Sequence, residues 1–236
     1  MLYIAIADMT IKINNQHNYL PWLCAKYTVP QTDDISFSVE VTQEEIDAEQ
    51  ADATGPFNQG YLESLAVYRK IAAKISGMEG CLMHGVLMEM DGRGILLCAP
   101  SGVGKSTHAK LWQECFGKDR CHIVNGDKPL VLFRHGKLYG YGTPWCGKEG
   151  WSENRKVEIT DICFISRAPQ NSIIPLPAEQ ALGKLLTQLY FPEDDTLKLS
   201  VLDMADLILS QTKTHQILCN IEKEAALLAQ EGIWRS

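Results

Sequence analysis

Apolar and polar residues alternate in two stretches near the start of the chain. In residues 3–13 the apolar set is Ile4, Ile6, Met9, Ile11 and Ile13, and in residues 34–41 Ile35, Phe37, Val39 and Val41 oppose Ser36, Ser38 and Glu40. Side chains on a strand point to opposite faces in turn, so each stretch predicts one half-buried antiparallel strand. Thr42-Gln43-Glu44-Glu45 has the form of a capping box and predicts a short acidic helix, with an exposed acidic loop as the alternative because the apolar face is thin. Gly55-Pro56 and Gly60 then break the chain. These signals divide it into a small β-rich module over 1–58 and a larger domain over 59–236.

From Tyr61 to Ser76 the pattern changes to helical spacing, with Leu62, Leu65, Tyr68, Ile71, Ala72 and Ile75 on one face and Gly77 as the stop. Two strands follow, over 81–90 and 95–99, joined by a hairpin turn at Asp91-Gly92-Arg93-Gly94. The second runs into a small-residue loop that opens a helix over Lys105 to Phe116, closed by Gly117. Cys121–Val124 reads as a buried strand that delivers Asn125-Gly126-Asp127-Lys128 at its carboxyl end. A hairpin over 130–134 and 138–141, strands at 157–165 and 172–176, helices at 178–190 and 197–209, a strand at 215–219 and a helix at 221–230 complete the expectation. Between them lies Gly142 to Trp151, rich in Gly and Trp and without periodicity, a composition that marks a functional loop. The walls of any pocket are expected from Trp145, Trp151 and the surrounding loops.

Composition narrows the class. The chain has 236 residues, 45% of them hydrophobic, and a net charge of −7, which suits a folded domain and argues against a nucleic-acid binder, since such binding needs clustered basic surface. Eight cysteines contain no C-x-x-C pair, so buried reduced thiols are expected rather than zinc. No apolar run has membrane-spanning length, and the chain opens on a strand pattern rather than on a basic segment with an apolar core. A cytoplasmic location and no membrane partner are the expectation.

The chemistry is concentrated in Ala99-Pro100-Ser101-Gly102-Val103-Gly104-Lys105-Ser106-Thr107. A strand, a glycine-bearing loop and a helix headed by Gly-Lys-Ser form a P-loop. Polyphosphate oxygens must approach consecutive backbone N–H groups, which side chains would obstruct, and the helix start adds the positive end of its dipole. Residues 101–107 are therefore the candidate nucleotide contacts, with Lys105 reaching the outer phosphates and Ser106 offering a hydroxyl to Mg²⁺. Ala99 stands where the usual pattern has its first glycine. Transfer of the terminal phosphoryl group also requires an acidic group near it, and Asp127, at the end of the next strand, is the candidate for base and for metal ligand. His84, beside Gly85 on the strand hairpinned to the P-loop strand, is the third candidate catalytic residue.

The order of Met83-His84-Gly85-Val86-Leu87, Gly94-Ile95-Leu96-Leu97, Ser101-Gly102-Val103-Gly104-Lys105-Ser106 and Ile123-Val124-Asn125-Gly126-Asp127 resembles the catalytic domain of HPr kinase/phosphorylase and its relatives, over about residues 80–130. That group shares its core with ATP-dependent phosphoenolpyruvate carboxykinase. The resemblance implies an α/β fold with a P-loop-containing mixed β-sheet and helices packed on it. It also implies ATP and Mg²⁺ as cofactors, Asp127 in the place of the general base, and His84 in the place of the active-site histidine. Relatives commonly assemble into rings, which implies a homo-oligomer. Two departures stand out: Gly126 replaces the first aspartate of the family's Ala-Asp-Asp strand end, and only Lys148-Glu149 occupies a place comparable to the later Glu-Ile-Arg-Gly motif. The Gly-Thr-Pro-Trp loop followed by Gly-Lys-Glu looks like that of small HPr-kinase-like proteins, some associated with peptide maturation and some with small-molecule phosphorylation.

The leading expectation is an ATP-dependent kinase acting on a hydroxyl, either a seryl side chain or a small hydroxylated metabolite. Carboxykinase-type chemistry on a keto acid is the second, with Lys148, Arg155 and Arg167 as its cationic candidates. A regulatory or peptide-maturation accessory protein that holds ATP without turnover is the third.

Overall fold

The computed structural model describes residues 1–51 and 55–235. The first apolar stretch is a hairpin rather than one strand: β1 (Leu2–Ile6) and β2 (Met9–Asn14) pair antiparallel, with Ile6 opposite Met9. The turn is Ala7-Asp8, both at positive φ, 55° and 60°, as a two-residue hairpin turn requires. The apolar positions change parity between Ile6 and Met9 because the chain reverses there. Next come a short helix α1 (Tyr19–Leu23) and a 3₁₀ turn at Ala25–Tyr27. Strand β3 (Phe37–Glu40) then adds parallel to β2, not antiparallel as alternation alone suggested. The capping box forms, Thr42 N–H donating to Glu45 Oε2 at 2.8 Å and Glu45 N–H to Thr42 Oγ1 at 3.3 Å, and it opens helix α2 (Gln43–Ala51).

Helix α3 (Gln59–Ser76) starts on Asn58, whose side chain accepts from the Tyr61 N–H. The run 81–90 divides into β4 (Gly80–Leu82) and β5 (Val86–Met90). Strand β6 (Arg93–Cys98) leads into the P-loop and helix α4 (Lys105–Phe116), followed by β7 (Cys121–Asn125), β8 (Leu130–Arg134) and β9 (Lys137–Tyr141). The chain ends with β10 (Lys156–Arg167), β11 (Ser172–Pro175), α5 (Ala178–Leu186), α6 (Asp195–Gln211), β12 (Lys213–Cys219) and α7 (Lys223–Arg235). Helix α5 stops at Leu186, four residues short of its periodicity, because the segment after it pairs with the chain beside β4: Tyr190 N–H donates to Leu82 O and His84 N–H to Gln188 O.

Nine strands make one mixed sheet in the order β4-β8-β9-β10-β6-β5-β7, with β12 and then β11 branching from β10. Strand β10 pairs antiparallel with β9 through its first residues and parallel with β6 and β12 through the rest. Helices α4 and α7 cover one face through Trp112, Ala226 and Ile233, and α5 and α6 cover the other through Leu185, Met204 and Ile208. The small sheet β1-β2-β3 shares a third apolar cluster with α3, β8 and the Trp145 loop. This is the α/β fold, with mixed sheet, packed helices and small N-terminal sheet, that the sequence predicts. Among the described residues no helix is long and apolar enough to cross a membrane.

The topology gathers the candidate residues. Strand β5 is antiparallel to both β6 and β7, so β6 and β7 run the same way and end on the same edge, where β5 begins. The P-loop, Asp127 and His84 therefore meet there. Strands β10 and β12 run parallel to β6 and bring Arg167 and Asn220 to that edge. Ligands of open α/β sheets bind outside the carboxyl ends of the strands.

Candidate active site

Gly102 and Gly104 have φ of 79° and 126°, backbone that L side chains rarely adopt. Ala99 is not among the positive-φ residues, so nothing in the backbone requires glycine there. Gly104 caps α4 without any side-chain acceptor, leaving the first amides of the helix to an outside anion. Arg167 braces the loop from behind, its Nε donating to Val103 O at 2.9 Å and its terminal nitrogen to Gly102 O. Both contacts are to carbonyls and occupy no loop amide; the Val103 N–H donates within the loop, to Pro100 O at 3.4 Å.

That cavity, of about 410 Å³, is lined by Ser101, Gly102, Gly104, Lys105, Ser106 and Thr107, with His84 and Asp127 opposite. Val103 is the exception among the residues expected there, since its side chain packs into the α4 and α7 cluster. Lys105 is only 8% exposed, and its ammonium donates to Ala99 O at 2.7 Å and meets His84 Nε2 at 3.1 Å. An ammonium only donates, so this contact requires a neutral imidazole with an unprotonated Nε2. Burial, and then the Lys105 charge, push the His84 pKa below its ordinary value, which keeps the ring in that form. Burial likewise lowers the pKa of Lys105.

Asp127 Oδ1 lies 3.4 Å from His84 Nε2, and its side chain, 29% exposed, lines the cavity. The turn that holds it is built by Asn125, fully buried. Asn125 Oδ1 accepts from the N–H groups of Asp127 (3.0 Å) and Lys128 (2.7 Å), while its Nδ2 donates to Thr143 O and Oγ1. Helix α3 supports the arrangement from below: Tyr68 Oη donates to Lys128 O at 2.5 Å, and Trp145, stacked on Tyr68 at 4.1 Å, donates to Ser64 O. The Trp145 ring is thus an anchor, and Trp151 packs beside Gly126 and into the α4 cluster. Contrary to expectation, neither tryptophan forms a cavity wall; the loop between them does, through Cys146, Gly147, Lys148 and Glu149.

Gly126 has a physical reason. A Cβ there would lie 2.8 Å from Cys146 O and 3.4 Å from Trp151 Cβ, so an aspartate cannot occupy the position with this loop in place. Gly85 is explained similarly: its Cβ would meet Leu97 O at 2.9 Å, so the glycine admits the neighbouring strand and leaves no space for a ligand. Of the three cationic candidates, only Lys148 lines the cavity; Arg155 is paired with Glu89 and Glu153, and Arg167 with the P-loop.

A neighbouring cavity of about 400 Å³ shares His84, Ser101 and Asp127 with the first and is otherwise lined by Lys128, Thr187, Gln188 and Tyr190 and by apolar side chains from β4 and after α5. The Gln188 amide, with its nitrogen toward both, donates to the carbonyls of Ala99 and His84 at 3.0 Å each. Asn125 and Gln188 are the site residues that reasoning from the sequence missed, whereas Glu149, singled out with Lys148 on resemblance, does line the cavity. An Asn two positions before Asp127 is a usable turn signal, whereas Gln188 sits inside an apparent helix and gives none.

The donor set also bears on metals. Among the described residues no group of three or more His, Cys, Asp or Glu side chains is disposed to hold an ion by itself. Ser106, Asp127 and Glu149 offer oxygen only. Such hard donors fit Mg²⁺, which keeps waters and takes phosphate oxygens as ligands. Cys146 is the only thiol at the cavity, and burial raises its pKa, so it stays protonated.

The family model of the SynChlorMet cassette protein ScmC matches residues 59–221, more than half of the chain. The chain belongs to the ScmC family. The span matched by ScmC begins with α3 and includes His84, the P-loop, Asp127 and β12. No curated protein matches the chain by sequence. Among solved structures, the Hpr(Ser) kinase/phosphatase from Coxiella burnetii is similar at a TM-score of 0.39 and 15% identity, over 65% of this chain and 97% of that one. A likeness of that degree assigns no chemistry to this chain.

Proposed function

We propose that this protein is an ATP-dependent kinase that transfers the terminal phosphoryl group to a hydroxyl. The observation that carries the reading is the position of Asp127, whose carboxylate stands on the wall between the P-loop cavity and a second cavity open to another molecule. A nucleotide on the P-loop and an acceptor in the second cavity would meet at that carboxylate.

In this mechanism the loop amides and Lys105 hold the phosphate oxygens, and Asp127 takes the proton from the acceptor hydroxyl as its oxygen bonds to the terminal phosphorus. The bond to the bridging oxygen breaks and ADP leaves with the electron pair. His84, neutral, accepts a hydrogen bond from Lys105 and fixes where the ammonium points. Ser106 and Asp127 would hold Mg²⁺, which when bound neutralises phosphate charge. Positioning and electrostatics dominate such reactions.

The acceptor is a seryl side chain or a small hydroxylated metabolite. Incubation with ATP, Mg²⁺ and a panel of both should give acceptor-dependent ADP release. Asp127→Asn should reduce it by about 10²–10⁴-fold, the usual worth of a general base, with ATP still bound. Full activity in the variant removes Asp127 from the role. A second reading, ATP capture without turnover, is favoured by Gly126, which leaves Asp127 as the only carboxylate on its turn; tight ATP binding with no turnover under any acceptor would select it. Carboxykinase chemistry lacks its basic cluster, since Arg155 and Arg167 are engaged elsewhere.

A further inference from the structure

A nucleotide on the P-loop must place its nucleoside somewhere, and the phosphate cavity itself, lined mainly by Gly, Ser, Thr and charged side chains, has no apolar wall suited to a base. On the other side of the loop lies a further cavity of about 610 Å³, between the P-loop, the end of β10 and the end of β12. It shares Gly104 and Thr107 with the phosphate cavity, so the two meet at the first turn of α4.

His108 lines this space. The residue is 2% exposed, and neither ring nitrogen, Nδ1 or Nε2, has a hydrogen-bond partner. Buried polar atoms are nearly always paired, so an imidazole with both nitrogens orphaned at a cavity wall is a site awaiting a ligand. Burial holds the ring pKa near 4, and the neutral ring offers one donor and one acceptor, the complement of a base edge. Around it stand Val103, Ile165 and Pro169, and at the rim Ile221, an apolar side chain left 75% exposed. No carboxylate lines the cavity, and Thr107, Arg167 and Asn220 complete its polar lining. Apolar walls, a neutral donor and acceptor within, and an opening onto a phosphate cradle are together the outline of a nucleoside.

We propose that this cavity binds the nucleoside, with the base against Pro169 and Ile221 and hydrogen-bonded to His108, so that the phosphate chain crosses the first turn of α4 and ends at Ser101 and Asp127. The proposal rests on the reading of the P-loop cavity as a polyphosphate site, and it fixes the direction in which the nucleotide lies. With the nucleoside in the opposite cavity, Asp127 would face the inner phosphates and the acceptor would have no entry.

The test compares ATP with inorganic tripolyphosphate, both with Mg²⁺, by titration calorimetry on the full chain and on His108→Leu and Ile221→Asp. Leucine removes the orphaned nitrogens while keeping the site apolar, and Ile221 is too exposed for its replacement to unfold the chain. The wild type should bind ATP about tenfold or more tighter than tripolyphosphate, each tenfold being about 1.4 kcal/mol. Both variants should lose most of that advantage while binding tripolyphosphate unchanged. The ¹⁵N resonances of the His108 ring should move with ATP and not with tripolyphosphate. If tripolyphosphate binds and ATP gains nothing over it, or the gain survives both substitutions, the nucleoside site is wrong and the P-loop reading stands. If neither compound binds, both fall.

Discussion

Asn125 determines where the Asp127 carboxylate points, because one buried amide oxygen takes both N–H groups of the turn. Asn125→Ala should therefore cost about 1–3 kcal/mol, the desolvation of groups left unpaired, and should lower turnover more than ATP affinity; melts and binding titrations read the two. Gly126→Ala places a methyl 2.8 Å from Cys146 O, so the Cys146–Glu149 wall must move, and overpacking of this kind costs about 1–3 kcal/mol. Substitution of an aspartate there should lose activity and not gain a second metal ligand. The candidate roles of Lys105, Ser106 and Asp127 were legible because they attach to local signals, a loop string and a strand end. Gly126 was legible only as a departure: that a backbone carbonyl twenty residues downstream fills the place of its missing Cβ is a fact of tertiary packing that no local pattern carries.

At the scale of elements, the site is an edge of the sheet. Inserting one antiparallel strand, β5, between two parallel ones puts His84 at the same edge as the P-loop and Asp127, and the Asp91-Gly92 hairpin that makes this possible was readable from its turn residues. The hairpin at Ala7-Asp8 was not, since Ala gives no turn signal and only the change of parity betrays it. Nor was the stop of α5 at Leu186, where pairing with the chain beside β4 overrides helical periodicity. Arg167, at the end of β10, braces the P-loop through two carbonyls in a fork geometry that lysine cannot reproduce. Arg167→Lys should weaken ATP binding while leaving the melting temperature nearly unchanged, as isothermal titration and thermal melts would read; equal binding would show that the loop holds its shape unaided.

Across the whole molecule, two features govern stability. Ile4, Ile11, Ile13 and Val39 of the small sheet are buried in one cluster with Leu62, Ile71, Leu132 and Trp145, so we propose that residues 1–58, although separated by breakers in sequence, complete the core of the rest. A chain of residues 59–236 should lack a cooperative melt and fixed near-ultraviolet ellipticity. Between β6, β10 and β12, Asp161 is fully buried and bonded by Arg93 (2.8 Å), Thr160 (2.7 Å) and His215 (3.0 Å). Burial alone would raise its pKa, but the bonds from His215 and Thr160 and the Arg93 charge outweigh it, and the folded value lies below the ordinary 3.8. The resulting stability is complete well above 3.8 and is lost as pH falls through the folded value. Asp161→Ala should cost about 3–5 kcal/mol near neutral pH and should flatten the loss of stability toward acid, as denaturant melts across that range would show.

Phosphoryl transfer requires one relation above all, a terminal phosphate on the P-loop facing Asp127 with the second cavity beyond it. A crystal structure with Mg²⁺ and a non-hydrolysable ATP analogue measures it. The nucleoside should lie against His108 and Ile221, and the last phosphate should lie within reach of both Lys105 and Asp127, with its far side open toward Gln188. A nucleotide bound in the reverse direction, or an Asp127 carboxylate turned away from the terminal phosphate, would contradict the kinase.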